Sequence, residues 1–465
     1  MTTTAASRAP ERAAGATAAL ALPGAATLLA LMNYTAPNAV LHHTAAGLRA
    51  GPTAQIWLMS SIGLGLAAAL LAAGGLADDH GRRRVFVLGG VLLAASSTGC
   101  ALAPGAGVFV AARIVQGAAT AALIAAGLGL IGATFASGPQ RARATGLWGS
   151  MVGLGLALGP IAAAGLDALS GWRSWYWVTA AASLLLAAVA ARTLPESRAE
   201  RRRGLDLPGM AAMSLGVAAL LAAITWGRTG WAEPGVAGLL VLAAVLLTAF
   251  AVVEARRREP MLDLGLFRRP RFLLSVVGAL VTGLGIIGIM SYLPAVLAVV
   301  LGMSPPAAAL LLSVWSGVSF VTAAQARRLP ARFRPGRLVA AALALSAAGQ
   351  LAMLGLGPDG HWWRLVPGLA VSGLGAGLGN AILARLAVES VPPDRAAMGS
   401  GAGNTARYIG ASLGVALVGA IVTGAGGDAA HPADAFAHGT AIALVVSSAI
   451  ALLGALFAAF VRERD

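Results

Sequence analysis

Charged side chains crowd into one short gap between two apolar stretches of this sequence. Residues 74–84 read GGLADDHGRRR, and they separate an uncharged stretch at 56–73 from an apolar one at 85–102. A carboxylate at a helix end can bind the positive end of another helix. Gly74 permits close contact between helices, and Gly81 permits a tight turn. These residues are suited to a charged contact between helices.

A second candidate is an arginine inside an apolar stretch. Arg113 lies in the segment RIVQGAATAA, three residues before Gln116. A charged residue within a membrane helix is costly and indicates function, although near a helix end the side chain can instead extend to the interface. No Ser/His/Asp or Cys/His set, no residues with the spacing of metal ligands and no phosphate-binding loop accompany it in the sequence. We therefore expect neither an enzyme nor a site for a metal or cofactor.

The composition shows which elements must hold these charges. Of the 465 residues, 58% are hydrophobic and only 11% are charged, whereas soluble domains contain about 25% charged residues. Apolar stretches of about 20 residues recur along the chain, and each is long enough to cross a bilayer as a helix. The net charge of +15 comes from arginines that lie between the apolar stretches, so nucleic acid is not an expected partner. The sequence predicts an all-α polytopic membrane protein.

Fourteen of these stretches are predicted to be transmembrane helices. Arginines concentrate on alternate loops and on both tails, and loops rich in arginine face the cytoplasm in membrane proteins. Both termini are therefore predicted to be cytoplasmic, which agrees with an even number of spans. The predicted helices begin near Thr17, Gln55, Val85, Val108, Ala142, Ser174, Leu207, Gly235, Phe272, Pro306, Leu338, Trp362, Ala397 and Ala437.

An internal similarity divides the chain into two halves. Residues 138–160 and 391–416 each contain a proline, a polar residue, an arginine and then a glycine-rich helix. Related halves are typical of transporters that rock around a central site. Two helices at 207–255 have no counterpart, so they are predicted to be inserted between two six-helix bundles. The predicted boundaries are a cytoplasmic tail at 1–16, an N-terminal bundle at 17–192, a linker at 193–206, the inserted pair at 207–255, a cytoplasmic loop at 256–271, a C-terminal bundle at 272–460 and a tail at 461–465.

The residues at 74–84 resemble the signature loop of the major facilitator superfamily. The resemblance implies a major facilitator fold and a latch that favours the outward-facing state. Asp79 departs from the family pattern, which usually has an arginine there. The positions that match the pattern, and to which the resemblance assigns the latch, are Gly74, Asp78, Gly81, Arg82 and Arg83.

Further segments narrow the resemblance to the fourteen-span drug:proton antiporters of the multidrug-resistance type. Arg113 and Gln116 resemble a family motif that implies proton coupling or hydrogen bonding between helices. Gly155, Gly159 and Pro160 resemble the antiporter motif, although ordinary packing of small residues remains an alternative. Residues 171–197, 258–272 and 404–416 resemble other segments of these transporters, so the similarity extends over the whole chain.

The first predicted helix departs most from this family. Asn33 occupies the position that is usually acidic, and Pro37 is new to the pattern. A carboxylate that would carry a proton or meet a cationic drug is therefore missing, which favours a neutral, anionic or amphipathic substrate over a dicationic one. His42 and His43 are titratable alternatives because histidine changes charge near neutral pH, but an ordinary interfacial pair is the favoured interpretation.

The resemblance implies a secondary active exporter of a small amphipathic or hydrophobic compound, working by proton antiport through alternating access. Its expected partners are a small-molecule substrate, protons and the lipid bilayer, and we expect a monomer in the plasma membrane. An uncoupled facilitator or uptake carrier, and a membrane sensor that transports nothing, remain alternatives. Trp172, Trp175 and Trp177 are assigned to the interfacial belt. The predicted substrate-binding residues are Asn33, Tyr34, Asn38, Trp57, Trp148, Met151, Asn404, Arg407 and Tyr408.

Overall fold

Helices form almost all of the chain that the computed structural model describes, which is residues 8–199, 206–228, 230–257, 259–328, 333–425 and 432–461. Most helices begin with a proline in the first turn, where its missing N–H has no partner to lose. They are α1 (Arg8–Thr35), α2 (Pro37–Gly47), α3 (Pro52–His80), α4 (Arg82–Leu102), α5 (Ala106–Thr134), α6 (Pro139–Ser170), α7 (Arg173–Thr193), α8 (Leu207–Gly227), α9 (Pro234–Arg256), α10 (Pro270–Thr282), α11 (Gly288–Val300), α12 (Pro305–Gln325), α13 (Pro335–Leu351), α14 (Val366–Glu389), α15 (Ala396–Gly424) and α16 (Pro432–Phe460).

Thirteen segments within these ranges are long and apolar enough to cross a membrane. One of them, Pro270–Val300, joins α10 to α11 through a π-helical turn at Gly283–Ile287. The remaining predicted span corresponds to α13, which has 17 residues and lies at the lower limit for a membrane helix. The all-α polytopic class is confirmed, whereas a total of fourteen spans stays a prediction. Parts of the predicted tails and of the 193–206 linker lie outside the described residues.

Apolar side chains form several cores, and some of them include residues of both halves. In the second half, Leu293, Val296 and Leu369 are fully buried in one large cluster. In the first half, Leu70 and Ile124 are buried between α3 and α5. Helices α8 and α9 pack against each other, and α8 also contacts α3 and α15. The division into bundles and an inserted pair remains a proposal.

The halves approach each other most closely where α3 ends and α15 begins, and we call this end of the molecule the loop end. A Cβ atom on Gly74 would collide with the backbone of Ala397. A Cβ atom on Gly401 would lie 2.5 Å from the carbonyl oxygen of Leu70. Only glycine permits this approach, so these positions fix the distance between α3 and α15.

Candidate functional site

A buried carboxylate joins the two halves at the loop end. The side chain of Asp78, in the last turn of α3, is 0% exposed. Its Oδ2 accepts a hydrogen bond from the backbone N–H of Met398 at 2.8 Å, and its Oδ1 accepts one from that of Ala397 at 3.2 Å. Both N–H groups belong to the first turn of α15, where a helix has unpaired donors and favours negative charge. Asp78 therefore caps a helix of the opposite half.

Arg82 neutralises this carboxylate and extends the contact. Its Nε and Nη2 donate to Asp78 Oδ1 at 2.9 and 2.7 Å. The same Nη2 donates to the carbonyl oxygen of Asp394, 3.1 Å away in the second half. With only 2% of its side chain exposed, Arg82 is part of the contact between the halves and is not a solvated loop arginine.

Gly81 and Arg83 hold the loop to the first half instead. Gly81 ends α3 with φ +117°, in the left-handed region that favours glycine. The backbone N–H of Arg83 donates to Glu196 Oε1 at 3.2 Å, and its Nη1 donates to the carbonyl oxygen of Leu194 at 3.3 Å. The segment after α7 therefore binds the loop through hydrogen bonds within the first half, while Arg82 contacts the second half.

Asp79, which departs from the family pattern, has its own partner across the halves. Its Oδ1 accepts a hydrogen bond from Arg395 Nη1 at 2.8 Å. The side chains of Arg395 and Asp79 are 3% and 15% exposed, so this ion pair is largely shielded from water. Arg395 directly precedes α15. The pair thus adds a second charged contact between the same two helices.

Reversing the charges of this pair is expected to be harmful singly and tolerated together. Asp79→Arg would place two positive charges side by side, and Arg395→Asp would place two negative charges side by side. Each single variant should lose about 2 kcal/mol, which lowers the melting temperature by roughly 2 °C for a chain of this length. The double variant should recover at least half of that loss. The measurement is the melting temperature of the purified protein in detergent, and additive losses in the double variant would contradict the pairing.

Arg113 lies entirely inside the first half. Its side chain is 0% exposed. Its Nη1 donates to Gln116 Oε1 at 2.9 Å, to the backbone oxygen of Asn33 at 3.1 Å and to Asn33 Oδ1 at 3.4 Å. Trp175 Nε1 also donates to Asn33 Oδ1, at 3.2 Å. The residue at the usual acidic position is thus a neutral hydrogen-bond partner of Arg113.

Pro37 explains why a backbone oxygen is available to Arg113. In an α-helix the carbonyl of Asn33 would accept from the N–H of residue 37, and proline has none. The helix breaks at Ala36, between α1 and α2, and the guanidinium of Arg113 donates to the unpaired carbonyl. Burial of Arg113 inside the bundle argues against extension to an interface. Asn33, Pro37 and Arg113 therefore act as one structural unit.

The predicted antiporter motif forms the contact surface between α6 and α1. A Cβ atom on Gly155 would lie 2.7 Å from Leu31 Cβ, and one on Gly159 would lie 2.5 Å from the carbonyl oxygen of Met32. Pro160 leaves the carbonyl of Leu156 without its helical donor, and Thr35 Oγ1 lies 3.5 Å from that oxygen. The motif thus holds α6 against the segment that carries Asn33.

Only some of the predicted substrate-binding residues come together. Trp148, Asn404 and Arg407 line one small cavity between the halves. The rings of Tyr34 and Tyr408 meet across the halves, with their centroids 5.7 Å apart. The others lie elsewhere: Trp57 packs against the apolar cluster that contains Trp148, Met151 faces Gly24 on α1, Asn33 belongs to the Arg113 network, and Asn38 lies on α2 beyond the break at Pro37.

Two of the three tryptophans assigned to the interfacial belt are buried instead. Trp175 is 2% exposed and bonds to Asn33, and Trp172 packs edge-on against Phe109, so both lie inside the bundle and only Trp177 is exposed. These rings are buried because α7 packs against α4 and α1. His43 Nδ1 bonds to Asp167 Oδ2 on α6.

Sequence reasoning missed several polar residues that the structure uses. Asn380 Oδ1 accepts from Arg407 Nη1 at 3.0 Å. Gln350 Nε2 donates to the carbonyl oxygen of Gly285 at 2.7 Å, within the π-helical turn. A π-turn leaves such a carbonyl unpaired and is frequent at functional sites. In the sequence, Asn380 and Gln350 could have been noticed because each is the one amide side chain of a mostly apolar helix.

Comparison with known proteins identifies a family and several similar transporters. A family model described as Major Facilitator Superfamily matches residues 24–415. The puromycin resistance protein pur8 of Streptomyces alboniger is 33% identical over 451 residues, which cover 93% of this chain and 89% of that protein. A probable actinorhodin transporter of Streptomyces coelicolor is 33% identical over 423 residues, which cover 88% and 72% of the respective chains. The crystal structure of the human organic anion transporter MFSD10 aligns with a TM-score of 0.70 at 17% identity over 95% and 99% of the respective chains, a likeness of fold.

Proposed function

The chain belongs to the major facilitator superfamily and is a multi-pass membrane transporter, and we propose that it exports a small amphipathic or hydrophobic compound by alternating access. The compound would be a drug, an antibiotic or a metabolite, as the names of the resistance and export relatives suggest. The observation that carries the proposal is the Asp78 carboxylate bound to the first turn of α15. A buried charge shared between two halves is a contact that must break and re-form when the halves rock.

The proposed orientation places the loop end in the cytoplasm of a plasma-membrane protein. Its support is the concentration of arginines on the loops at that end and on both tails. In this orientation the contacts of Asp78, Arg82 and Asp79 close the cytoplasmic side. The conformation described is then closed on the cytoplasmic side. Opening inward requires these charged contacts to separate.

We further propose proton antiport as the coupling mode. The network of Arg113, Gln116 and Asn33 lies beside α1, and α1 packs on α6 through Gly155 and Gly159. A change in that network would therefore move α6, which carries Trp148 in the cavity between the halves. The proposed route from coupling to substrate is mechanical and uses residues of the first half.

Uncoupled export or uptake is the second candidate function, and Asn33 favours it. An amide cannot bind and release a proton as the usual carboxylate would. Because the Nη1 group of Arg113 donates to a backbone oxygen, this contact can serve packing alone. The same fold serves both functions, and they differ only in whether protons move with the substrate.

The test is a substrate panel on inside-out vesicles with an acidified lumen and a pH-sensitive dye. Antiport carries the compound inward and protons outward, so the lumen should become more alkaline when a substrate is added. Asp78→Asn vesicles and empty vesicles provide the controls. Uptake of a compound without alkalinisation would identify the uncoupled carrier. No uptake of any resistance-type compound would overturn the export function.

A further inference from the structure

Arg407 is a buried cation in the second half that has no carboxylate partner among the described residues. It lies in α15, about 16 Å along the helix from Ala396, and its side chain is 6% exposed. Its Nη1 donates to Asn380 Oδ1 at 3.0 Å, and its Nε has no hydrogen-bond partner. A buried charge without a counter-charge is strongly destabilising. Something other than the described chain must therefore compensate this guanidinium when the transporter works.

A cavity lies beside Arg407 at the boundary between the halves. Trp148 of α6 forms one wall, while Ser275 of α10, Leu383 of α14 and Asn404 of α15 contribute to the others. Trp148 is 2% exposed, and its indole Nε1 is a second donor without a partner. The cavity has a volume of about 10 Å³, roughly enough for one water. Because its walls come from both halves, rocking of the halves changes its size.

From these observations we infer that the exported compound is an organic acid, whose anionic oxygen is bound by Arg407 and Trp148. This inference rests on the proposed export function and names its substrate class. Charge-assisted hydrogen bonds to a guanidinium are about twice as strong as neutral ones. An anion also removes the cost of the unpaired buried charge, whereas a cationic compound would be repelled by it.

The surroundings of the two donors define the rest of the compound. The rings of Tyr34 and Tyr408 meet across the halves near Trp148, within one apolar cluster. Trp148 in the cavity wall and this tyrosine pair nearby favour a flat, apolar body with ring faces to stack on. The second buried guanidinium, Arg113, also has donors without a partner, its Nε and Nη2, while its Nη1 contacts Asn33 and Gln116. Arg113 does not line this cavity. Among these two buried guanidinium groups, Arg407 is thus the one that lines the cavity between the halves.

The test compares three compounds with one flat skeleton. They are anthraquinone carboxylate, its neutral methyl ester and the cationic aminomethyl compound, each titrated into the purified full-length protein and followed by tryptophan fluorescence and thermal shift. The acid should bind at least about tenfold more tightly than the ester, and the amine should bind most weakly. Arg407→Gln should weaken binding of the acid roughly tenfold and leave the ester unchanged. Arg407→Lys keeps the charge and should retain part of the preference.

Arg385→Gln is the matched control, because Arg385 lies in a neighbouring helix and pairs with Glu389 at 2.9 Å, away from the cavity. It should leave the preference for the acid intact. Equal affinities for acid and ester, absence of binding by the acid, or an equal loss for all compounds in Arg407→Gln would overturn the inference. Export is scored separately in vesicles: a bound acid that is never transported would refute the proposed function and leave the binding class standing.

Discussion

Replacing Asp78 by Asn is expected to lower export at least about tenfold while the protein stays folded in the membrane. The amide would remove the charge that pairs with Arg82 and would present an N–H group towards the N–H of Met398. Loss of one partner from a buried ion pair costs about 3–5 kcal/mol. The closed loop end would therefore lose most of its population, by roughly 100-fold for the lower figure.

Two measurements check this result. Vesicle uptake reports export, and a distance between spin labels at Arg143 and Arg334 reports closure of the loop end, since both positions are exposed and lie in different halves. Cys100 is the single cysteine and is buried, so it does not compete for the label. Glu389→Gln removes a carboxylate that pairs within α14 and should change neither reading. A normal distance and normal export in Asp78→Asn would refute the latch.

Replacing Gly159 by Leu is expected to abolish export through a different cause, which is separation of α6 from α1. The new Cβ atom would meet Thr35 Oγ1 and would lie 2.5 Å from the carbonyl oxygen of Met32. Backbone cannot move aside as a flexible side chain can, so the overlap should cost at least about 1–3 kcal/mol. The displaced α1 would also disturb Asn33 and its contact with Arg113.

Gly165→Leu provides the control within the same helix. Gly165 is exposed, and a Cβ atom there meets nothing within 4 Å. Both variants add the same side chain to α6, but only Gly159→Leu should lower the melting temperature and stop uptake in vesicles. If the two variants behave alike, the contact between α6 and α1 is not what the motif provides, and the glycines serve ordinary packing.

Some features of this transporter follow directly from its sequence. The formation of each membrane helix is determined locally, because an apolar stretch of about 20 residues favours the bilayer without help from the rest of the chain. The ends are local too, since prolines and glycines at positions such as Pro139 and Gly81 start or stop helices by their own backbone limits. The signature loop could likewise be recognised at 74–84, because its residues are contiguous.

Partners across the halves could not be read from the sequence. In the sequence, Asp79 differs from the family pattern without an evident partner. In the structure it pairs with Arg395, which is 316 residues away along the chain. Trp175 matched an interfacial residue by its position near a helix end, yet tertiary packing buries it on Asn33. Such outcomes depend on how helices are rotated and which faces meet, and hydropathy over a single span carries little information about either.

By itself, the sequence determined an all-helical membrane transporter with a charged loop and a glycine-rich helix at 149–165, and without a carboxylate in the middle of a predicted span. Only the tertiary structure decided what the remaining charges do: Asp78 and Asp79 join the halves, Arg113 fills a gap made by a proline, and Arg407 faces a cavity without a counter-charge. The physical reason is that a charge buried in a membrane is costly. Which groups lie close enough to stabilise it depends on how the helices pack, not on its neighbours in the chain.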